Sequence, residues 1–225
     1  MSIHLHYEEI GNGEPLILLH GNGEDLTYFT HQMDYFSKKY RVIAIDTRGH
    51  GKSERGTEPF TIRQFALDLY KFMEEHQIDK ANILGFSDGG NIALTFALMH
   101  PERILKLILN GANLNGRGVK AHIQIPIVLG YKFASAFAQK SEDAKKNAEM
   151  LGLMVNDPNI EPSKLQNVFV KTLVIAGTND MIKKSHTQLI YKNLPNAELV
   201  FIEGNHFIAN KEYEKFNKAI ETFLT

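Results

Sequence analysis

The sequence predicts a doubly wound α/β domain built on a mostly parallel β-sheet. Short apolar segments recur along the chain, and amphipathic helical patterns separate them. Segments that are apolar at nearly every position are typical of strands covered on both faces, as in parallel sheets. Alternation of such strands with helices is typical of doubly wound folds. The apolar segments lie at residues 16–19, 42–45, 81–84, 105–109, 173–176 and 199–202.

The N-terminal residues predict one further strand. Ile3, Leu5 and Tyr7 alternate with polar neighbours, as on a half-exposed strand. Asn12-Gly13 follows and predicts a hairpin turn into residues 16–19, because this dipeptide readily adopts the positive φ that such a turn requires. Helical spacing of apolar residues occurs in the segments 61–77, 88–100 and 211–224.

Residues 113–167 interrupt this alternation, since they hold no strand-like segment flanked by turns. Helices are predicted at 123–137 and 141–154. We therefore expect a core formed by residues 1–112 and 168–225, with a small helical cap inserted at 113–167. The apolar residues of the insertion predict a lid over a pocket, and packing against the sheet edge is the alternative. These residues are Ile125, Ile127, Leu129, Phe133, Phe137, Met150, Leu153 and Met154.

Composition argues against several functional classes. The chain has 225 residues, a formal net charge of -1 and no cysteine. A near-neutral charge argues against nucleic-acid binding, and the lack of cysteine excludes disulfides and thiolate chemistry. The N-terminus does not resemble a signal peptide and no apolar run is long enough to span a bilayer, so we expect a cytoplasmic protein that binds no membrane. No histidine pattern predicts a metal site.

A candidate nucleophile lies in Gly85-Phe86-Ser87-Asp88-Gly89, which fits the pattern Gly-x-Ser-x-Gly. The pattern is weak alone, but here a buried strand precedes it and a helix follows it. A strand-to-helix turn this sharp holds the serine in a strained conformation and presents its hydroxyl at the carboxyl end of the sheet.

A serine alcohol needs a base and a carboxylate to act as a nucleophile. His206 follows the apolar segment 199–202, and Asp180 follows the segment 173–176. Both positions are at the carboxyl edge of the sheet, and the competing position after Leu109 holds no acid. We expect His100 and His186 to be surface or capping residues. His4, His6, His31 and His76 are predicted to be exposed and without a catalytic role.

Hydrolysis through a serine also requires donors for the oxyanion. The amide of Asp88 is one candidate, at the N-terminus of the predicted helix. The other is the amide of Asn22, in the loop His20-Gly21-Asn22-Gly23 after the segment 16–19. An ordinary glycine-rich turn is the alternative interpretation of this loop.

Together these motifs resemble the α/β-hydrolase superfamily. The resemblance adds Asp46-Thr47-Arg48-Gly49-His50-Gly51-Lys52-Ser53, and the Ser-Asp-Gly-Gly turn is similar to that of the valacyclovir-hydrolase (biphenyl-hydrolase-like) branch. It implies an α/β-hydrolase core, a helical cap and no cofactor. The chain departs from the family in its short N-terminus and small cap. A P-loop at Gly51-Lys52-Ser53 is excluded because the required upstream glycine is missing. We expect Asp46 and Arg48 to organise this loop through an ion pair and backbone hydrogen bonds.

The expected function is that of a serine hydrolase acting on small-molecule carboxylic esters through an acyl-enzyme. A carbon–carbon bond hydrolase with the same triad is an alternative, and a non-catalytic binding protein is an alternative of a different class. The Asp88 carboxylate either attracts a cationic substrate group, or turns away to cap its helix or to bond a loop amide. The candidate substrate-contacting residues are Asp88, Phe86, Phe133, Phe137 and Phe207.

Overall fold

The computed structural model describes residues 3–225 and contains one seven-stranded sheet with helices on both faces. Met1 and Ser2, which the predicted core includes, lie outside the described residues. The sheet order is β1-β3-β2-β4-β5-β6-β7, and β1 alone runs antiparallel to its neighbour. The predicted fold class is confirmed. The strands are β1 Tyr7–Ile10, β2 Glu14–Leu19, β3 Tyr40–Ile45, β4 Ala81–Phe86, β5 Ile104–Asn110, β6 Lys171–Gly177 and β7 Ala197–Ile202.

Two apolar clusters cover the sheet, one on each face. Successive residues of β2 alternate between them, since Ile17 and Leu19 belong to one cluster and Leu16 and Leu18 to the other. This two-sided burial explains why the central strands are apolar at nearly every position. The helices are α1 Thr30–Phe36, α2 Ile62–Glu75, α3 Asp88–Met99, α4 Ala121–Phe137, α5 Glu142–Asn156, α6 Lys184–Asn193, α7 Ile208–Lys211 and α8 Tyr213–Leu224.

The predicted N-terminal hairpin is wrong. Strand β1 pairs with β3 rather than with β2, so the chain between β1 and β2 is a crossover. Positive φ occurs at Gly11 (+84°) and Gly13 (+115°) but not at Asn12. A Cβ at Gly11 would lie 2.3 Å from the carbonyl oxygen of Ser37, so contact with the segment before β3 dictates this turn.

Residues 113–167 contain helices α4 and α5, which pack against each other. Gln124 Nε2 of α4 donates to the Met154 carbonyl of α5 at 3.1 Å. Ser141 caps the N-terminus of α5 by accepting from the Ala144 amide at 3.3 Å. Within residues 3–225, each helix is too short or too polar to cross a bilayer.

The ion pair of the loop after β3 differs from the predicted one. Arg48 pairs with Asp68 of α2, at 2.6 Å from Nε and 2.7 Å from Nη2, and both side chains are buried. Asp46 instead accepts from the amides of Leu26 and Lys52, at 2.8 Å each. The predicted Asp46–Arg48 pair is wrong because a carboxylate on α2 lies closer to the guanidinium.

Several histidines are also more buried than predicted. His186 is buried, and its Nε2 accepts from the Leu114 amide at 3.0 Å, so it joins α6 to the chain after β5. His6, His31 and His76 are half-buried rather than exposed. His31 stacks on Tyr213 with ring centroids 4.0 Å apart, and these long-range contacts have no local signature in the sequence.

We expect Asp68→Asn to lower the free energy of unfolding by about 3 kcal/mol, because the buried Arg48 guanidinium would lose its countercharge. Urea unfolding measures this change. The control is Glu9→Gln, which breaks the more exposed Arg41–Glu9 pair and should cost less than about 1 kcal/mol. Equal losses in the two variants would contradict a structural role for the buried pair.

Candidate active site

Ser87 occupies a strained turn between β4 and α3. Its backbone has φ 53° and ψ −118°, a region that side-chain-bearing residues rarely adopt. A Cβ at Gly85 would lie 2.2 Å from the Gly89 carbonyl oxygen, and one at Gly89 would lie 2.0 Å from that of Leu19. The Ser87 amide donates to the Asn110 carbonyl of β5 at 2.8 Å. The turn therefore needs both glycines and holds the half-buried Ser87 hydroxyl at the carboxyl end of β4.

Ser87, His206 and Asp180 are brought together from three separate segments. His206 Nε2 lies 3.0 Å from Ser87 Oγ, and His206 Nδ1 lies 2.7 Å from Asp180 Oδ1. The imidazole and the carboxylate are both buried. Asp180 Oδ1 also accepts from the Ile182 amide at 2.8 Å, which fixes the carboxylate. These distances allow proton transfer between serine and imidazole with the carboxylate orienting the ring.

A glycine makes room for the imidazole at the end of β5. Gly111 has φ +63°, and a Cβ there would lie 2.7 Å from His206 Cε1. The position after β5, which holds no acid in this sequence, is thus covered by the His206 ring.

The two predicted oxyanion donors flank Ser87. Asp88 is the first residue of α3, so its amide has no acceptor within the helix. The loop that carries Asn22 approaches the serine closely, since a Cβ at Gly21 would lie 3.2 Å from Ser87 Cβ. Among residues 3–225, neither amide is engaged by another protein group, so both are free to bind a substrate oxygen.

His20 organises this loop, a role that was not predicted. Its Nε2 accepts from the Thr47 amide at 3.0 Å, so Nδ1 carries the proton and donates to the Gly21 carbonyl at 2.7 Å. Burial lowers the pKa of His20 to about 4, which keeps the ring neutral. The sequence shows the motif His20-Gly21, but it does not indicate that the Thr47 amide, in the loop after β3, donates to His20.

The segment 113–167 contacts the core beside the site. Asn22 Nδ2 donates to the Met150 carbonyl of α5 at 2.8 Å. Arg55 forms a salt bridge with Glu149 of α5 and its Nε donates at 2.9 Å. Helix α5 is thus held against both the loop after β2 and the loop after β3.

Asp88 places an incompletely paired carboxyl group next to the serine. Its Oδ1 accepts from Asn91 Nδ2 at 3.1 Å, and its buried Oδ2 has no partner among the described residues. Burial raises the pKa of Asp88 to about 6, and the nearby Asp157 adds to the effect, while Asn22 and Asn91 oppose it. The N-cap of α3 is Ser87, without a side-chain capping bond, so the predicted capping role of Asp88 is wrong.

The predicted aromatic contacts divide into two groups. Phe86 is buried beneath the site, stacked on Tyr28 at 4.3 Å and 4.8 Å from the His206 ring. Phe207 is 40% exposed beside these rings. Phe133 and Phe137 are 71% and 43% exposed on α4 and contact each other, so the expectation that they line the substrate site is not supported. The sequence predicted the helix that carries Phe133 and Phe137, but not that these two side chains are exposed.

Two further polar groups near the site were not predicted. Glu24 Oε2 and Tyr28 Oη are buried without a partner among the described residues. Burial raises the pKa of Glu24 to about 7. The apolar packing that produces these environments comes from distant parts of the chain, so the sequence offered no signal.

Two clefts border the helical segment 113–167. A cleft of about 590 Å³ is lined by residues that include Arg117, Gln124, Asp157 and Lys183. A second cleft of about 440 Å³ lies between Arg55 and α5 and shares Asp157. Ser87 lines neither cleft. No group of three potential metal ligands occurs within residues 3–225.

Comparison with known proteins gives a consistent result. The sequence profile of the alpha/beta hydrolase fold matches residues 14–131. The chain is 27% identical to mouse "Serine hydrolase BPHL" over 99% of this chain and 83% of that protein. It is 30% identical to a "2-hydroxy-6-oxononadienedioate/2-hydroxy-6-oxononatrienedioate hydrolase" from Burkholderia vietnamiensis, over 99% of this chain and 91% of that one. A crystal structure of a Pseudomonas aeruginosa hydrolase superimposes with a TM-score of 0.80 at 24% identity, covering 99% and 94% of the two chains.

Asp88→Asn should become more stable relative to wild type as pH rises. The folded pKa of Asp88, about 6, lies above the unfolded value of 3.8, so ionising the carboxyl destabilises the native state progressively between these pH values. We expect the variant to gain about 2 kcal/mol on wild type between pH 4.5 and pH 8, measured by urea unfolding. Asp34→Asn, at an exposed site, should follow wild type. If the difference in unfolding free energy between Asp88→Asn and wild type does not change with pH, ionisation of Asp88 does not destabilise the native state.

Proposed function

The chain belongs to the α/β-hydrolase family, and from this premise we propose that it is a serine hydrolase that cleaves carboxylic esters through Ser87, His206 and Asp180. The predicted resemblance to the valacyclovir-hydrolase branch is confirmed by the BPHL relatives. The observation that carries the proposal is the hydrogen-bonded series from Ser87 Oγ through His206 to Asp180, with distances of 3.0 Å and 2.7 Å.

Acylation begins when Ser87 Oγ attacks the ester carbonyl carbon and His206 Nε2 takes the hydroxyl proton. The carbonyl oxygen becomes an oxyanion, which the amides of Asn22 and Asp88 stabilise. The intermediate collapses, the bond to the alcohol oxygen breaks, and His206 gives its proton to that oxygen. Asp180 fixes the imidazole tautomer and stabilises its protonated form throughout.

Deacylation repeats these steps with water. His206 takes a proton from the water as its oxygen bonds to the acyl carbon, and the same two amides hold the second oxyanion. The bond to Ser87 Oγ then breaks, the proton returns to the serine, and the carboxylic acid leaves. The complete cycle consumes one ester and one water and regenerates the free serine and the neutral imidazole.

A carbon–carbon bond hydrolase is the second candidate. It is favoured by the 30% identical relative from Burkholderia vietnamiensis, which is a 2-hydroxy-6-oxononadienedioate/2-hydroxy-6-oxononatrienedioate hydrolase. The same serine and histidine serve both reactions, so turnover of ester and vinylogous diketone substrates distinguishes them. A non-catalytic binding protein on this scaffold is disfavoured, because all three triad side chains are within hydrogen-bond distance.

We further propose that residues 113–167 form a cap over the substrate site. Helix α5 contacts the Asn22 loop through Met150 and the loop after β3 through Glu149. Both contacts support this proposal, because they hold α5 against loops near the rim that carries Ser87.

For the substrate itself, we propose a cationic group near the ester, paired with Asp88. Asp88 is only 6% exposed, and its Oδ2 has no partner among the described residues. An ammonium group would supply both the missing donor and the missing countercharge. An α-amino group close to the ester carbonyl is of suitable size, since Asp88 immediately follows Ser87.

Ser87→Ala should lower kcat for p-nitrophenyl acetate by roughly 10⁴–10⁶ with an unchanged far-UV circular dichroism spectrum. The reason is that alanine has no hydroxyl to attack the carbonyl. Ser163→Ala, at an exposed position, is the matched control and should retain wild-type kcat. Wild-type turnover by Ser87→Ala would exclude Ser87 as the nucleophile.

Asp88→Asn should reduce the preference for an aminoacyl ester over its N-acetylated form by at least about tenfold in kcat/KM, because the pairing charge is lost. The backbone amide of residue 88 remains, so the oxyanion donor is kept. Asp34→Asn serves as the control. If the ratio of the two substrates is the same in wild type and Asp88→Asn, the cationic substrate is ruled out.

A further inference from the structure

The cleft of about 590 Å³ beside residues 113–167 is lined by unpaired charges. Its charged lining side chains are Arg117, Lys183 and Asp157. None of the three takes part in a salt bridge within residues 3–225. The volume is within the roughly 300–1,000 Å³ of small-molecule sites. The cleft therefore has room for a ligand group and charges that the proposed chemistry does not use.

A short antiparallel contact holds the two cationic residues at one rim of this cleft. Val119 pairs with Ile182 in an isolated β-bridge, and the Lys183 amide donates to the Gly118 carbonyl at 2.8 Å. Lys183 Nζ donates to the Arg117 carbonyl, also at 2.8 Å. Backbone pairing thus fixes the two residues beside each other, although both side chains are exposed.

The rim formed by residues 117–120 and 181–184 has an excess of positive charge. These two segments contain four cationic residues and no acidic one, whereas the whole chain has a formal net charge of -1. Like charges held together repel each other unless an anion lies between them. The neighbouring cleft differs, because its Arg55 is paired with Glu149. The charge at the rim of the larger cleft is therefore available to a ligand.

The lining of the cleft is connected to the candidate active site at two points. Ile182, which belongs to the β-bridge, donates its amide to Asp180 Oδ1 at 2.8 Å, and the same oxygen contacts His206. Asp157 lies near enough to Asp88 for its charge to raise the pKa of that carboxyl. The cationic rim is therefore adjacent to the Asp180 segment, and the acidic part of the lining is near the residue that follows Ser87.

We propose that this cleft binds an acidic group of the substrate, a carboxylate or a phosphate, through Arg117 and Lys183. The inference rests on the proposed ester hydrolysis and adds a charged group remote from the reacting carbonyl. Asp157 repels an anion, so the acidic group lies at the Arg117 rim. The ammonium group proposed at Asp88 then lies toward Asp157. The substrate class is an ester with an acidic group at some distance from the ester bond.

The exposure of the two cations sets the size of the expected effect. Carboxylate and phosphate oxygens accept charge-assisted hydrogen bonds from guanidinium and ammonium groups, which are stronger than neutral ones. Water and salt screen charges at an exposed rim. We therefore expect the acidic group to improve kcat/KM by about tenfold, mainly through KM, because the group binds away from the reacting atoms.

Two pairs of esters test the proposal and show which part of the substrate carries the acid. Mono-p-nitrophenyl glutarate has a carboxylate on the acyl part, and 4-carboxyphenyl butyrate has one on the alcohol part. Each is compared with its own methyl ester, which lacks the charge but keeps the same leaving group. Wild type should prefer the acid over its methyl ester by about tenfold in kcat/KM in at least one pair.

Three variants separate the charge of the cleft from general effects. The double variant Arg117→Gln, Lys183→Gln should abolish the preference for the acid while leaving kcat/KM for the methyl esters unchanged. Arg117→Lys, Lys183→Arg keeps both charges and should retain the preference. The matched control is Lys184→Gln, which removes an adjacent charge that lies 5.0 Å from the centre of the Phe201 ring and does not line the cleft. Thermal unfolding verifies that each variant is folded.

Calorimetric titration with glutarate and with inorganic phosphate provides a measurement that does not depend on turnover. The tighter of the two should bind wild type at least about tenfold more tightly than Arg117→Gln, Lys183→Gln, and it identifies carboxylate or phosphate as the preferred group. Equal binding by both proteins, or an ester preference that the double variant retains, overturns the acidic subsite even if every ester is hydrolysed. If no ester is hydrolysed, the proposed hydrolase is contradicted, and the titration alone decides whether the cleft binds an anion.

Discussion

The absence of side chains at three contact points governs the geometry of this site. Gly85 and Gly89 allow the turn at Ser87 to lie against its own helix and the end of β2, where a Cβ would approach carbonyl oxygens to 2.2 and 2.0 Å. A Cβ at Gly177, at the end of β6, would likewise lie 2.1 Å from the Asn205 carbonyl oxygen. Each contact brings a segment bearing a functional group closer than a side chain would permit. The strained φ of Ser87 persists because the surrounding sheet and α3 hold the turn in place.

The positions of the three candidate triad residues relative to the strands could be predicted from the sequence. Ser87, Asp180 and His206 each follow a buried parallel strand, and the carboxyl ends of parallel strands meet at one edge of a sheet. Order along the chain and strand position therefore sufficed to place the three side chains together. Gly85 and Gly89 are recognisable because they belong to the same five-residue motif as Ser87.

What the sequence did not reveal depends on contacts between distant segments. The choice of β3 over β2 as the neighbour of β1, the pairing of Arg48 with Asp68, and the burial of His186 are all of this kind. For α4, helical periodicity predicted the helix but gave apolar residues on two faces, so it could not show which face packs inward. Phe133 and Phe137, the candidate substrate contacts on this helix, are instead 71% and 43% exposed.

Asn22 joins the two halves of the proposed mechanism. In the proposed mechanism its backbone amide binds the oxyanion, and its side chain donates to the Met150 carbonyl of α5 at 2.8 Å. A displacement of α5 from the core would remove the acceptor of that side chain, and the loop would lose a restraint on the direction of the amide. Since oxyanion stabilisation requires donors fixed before charge develops, the proposed mechanism gives the docked position of α5 an indirect role in the chemistry. Under the proposed function, residues 113–167 would thus influence the transition state through the hydrogen bond from Asn22 to Met150.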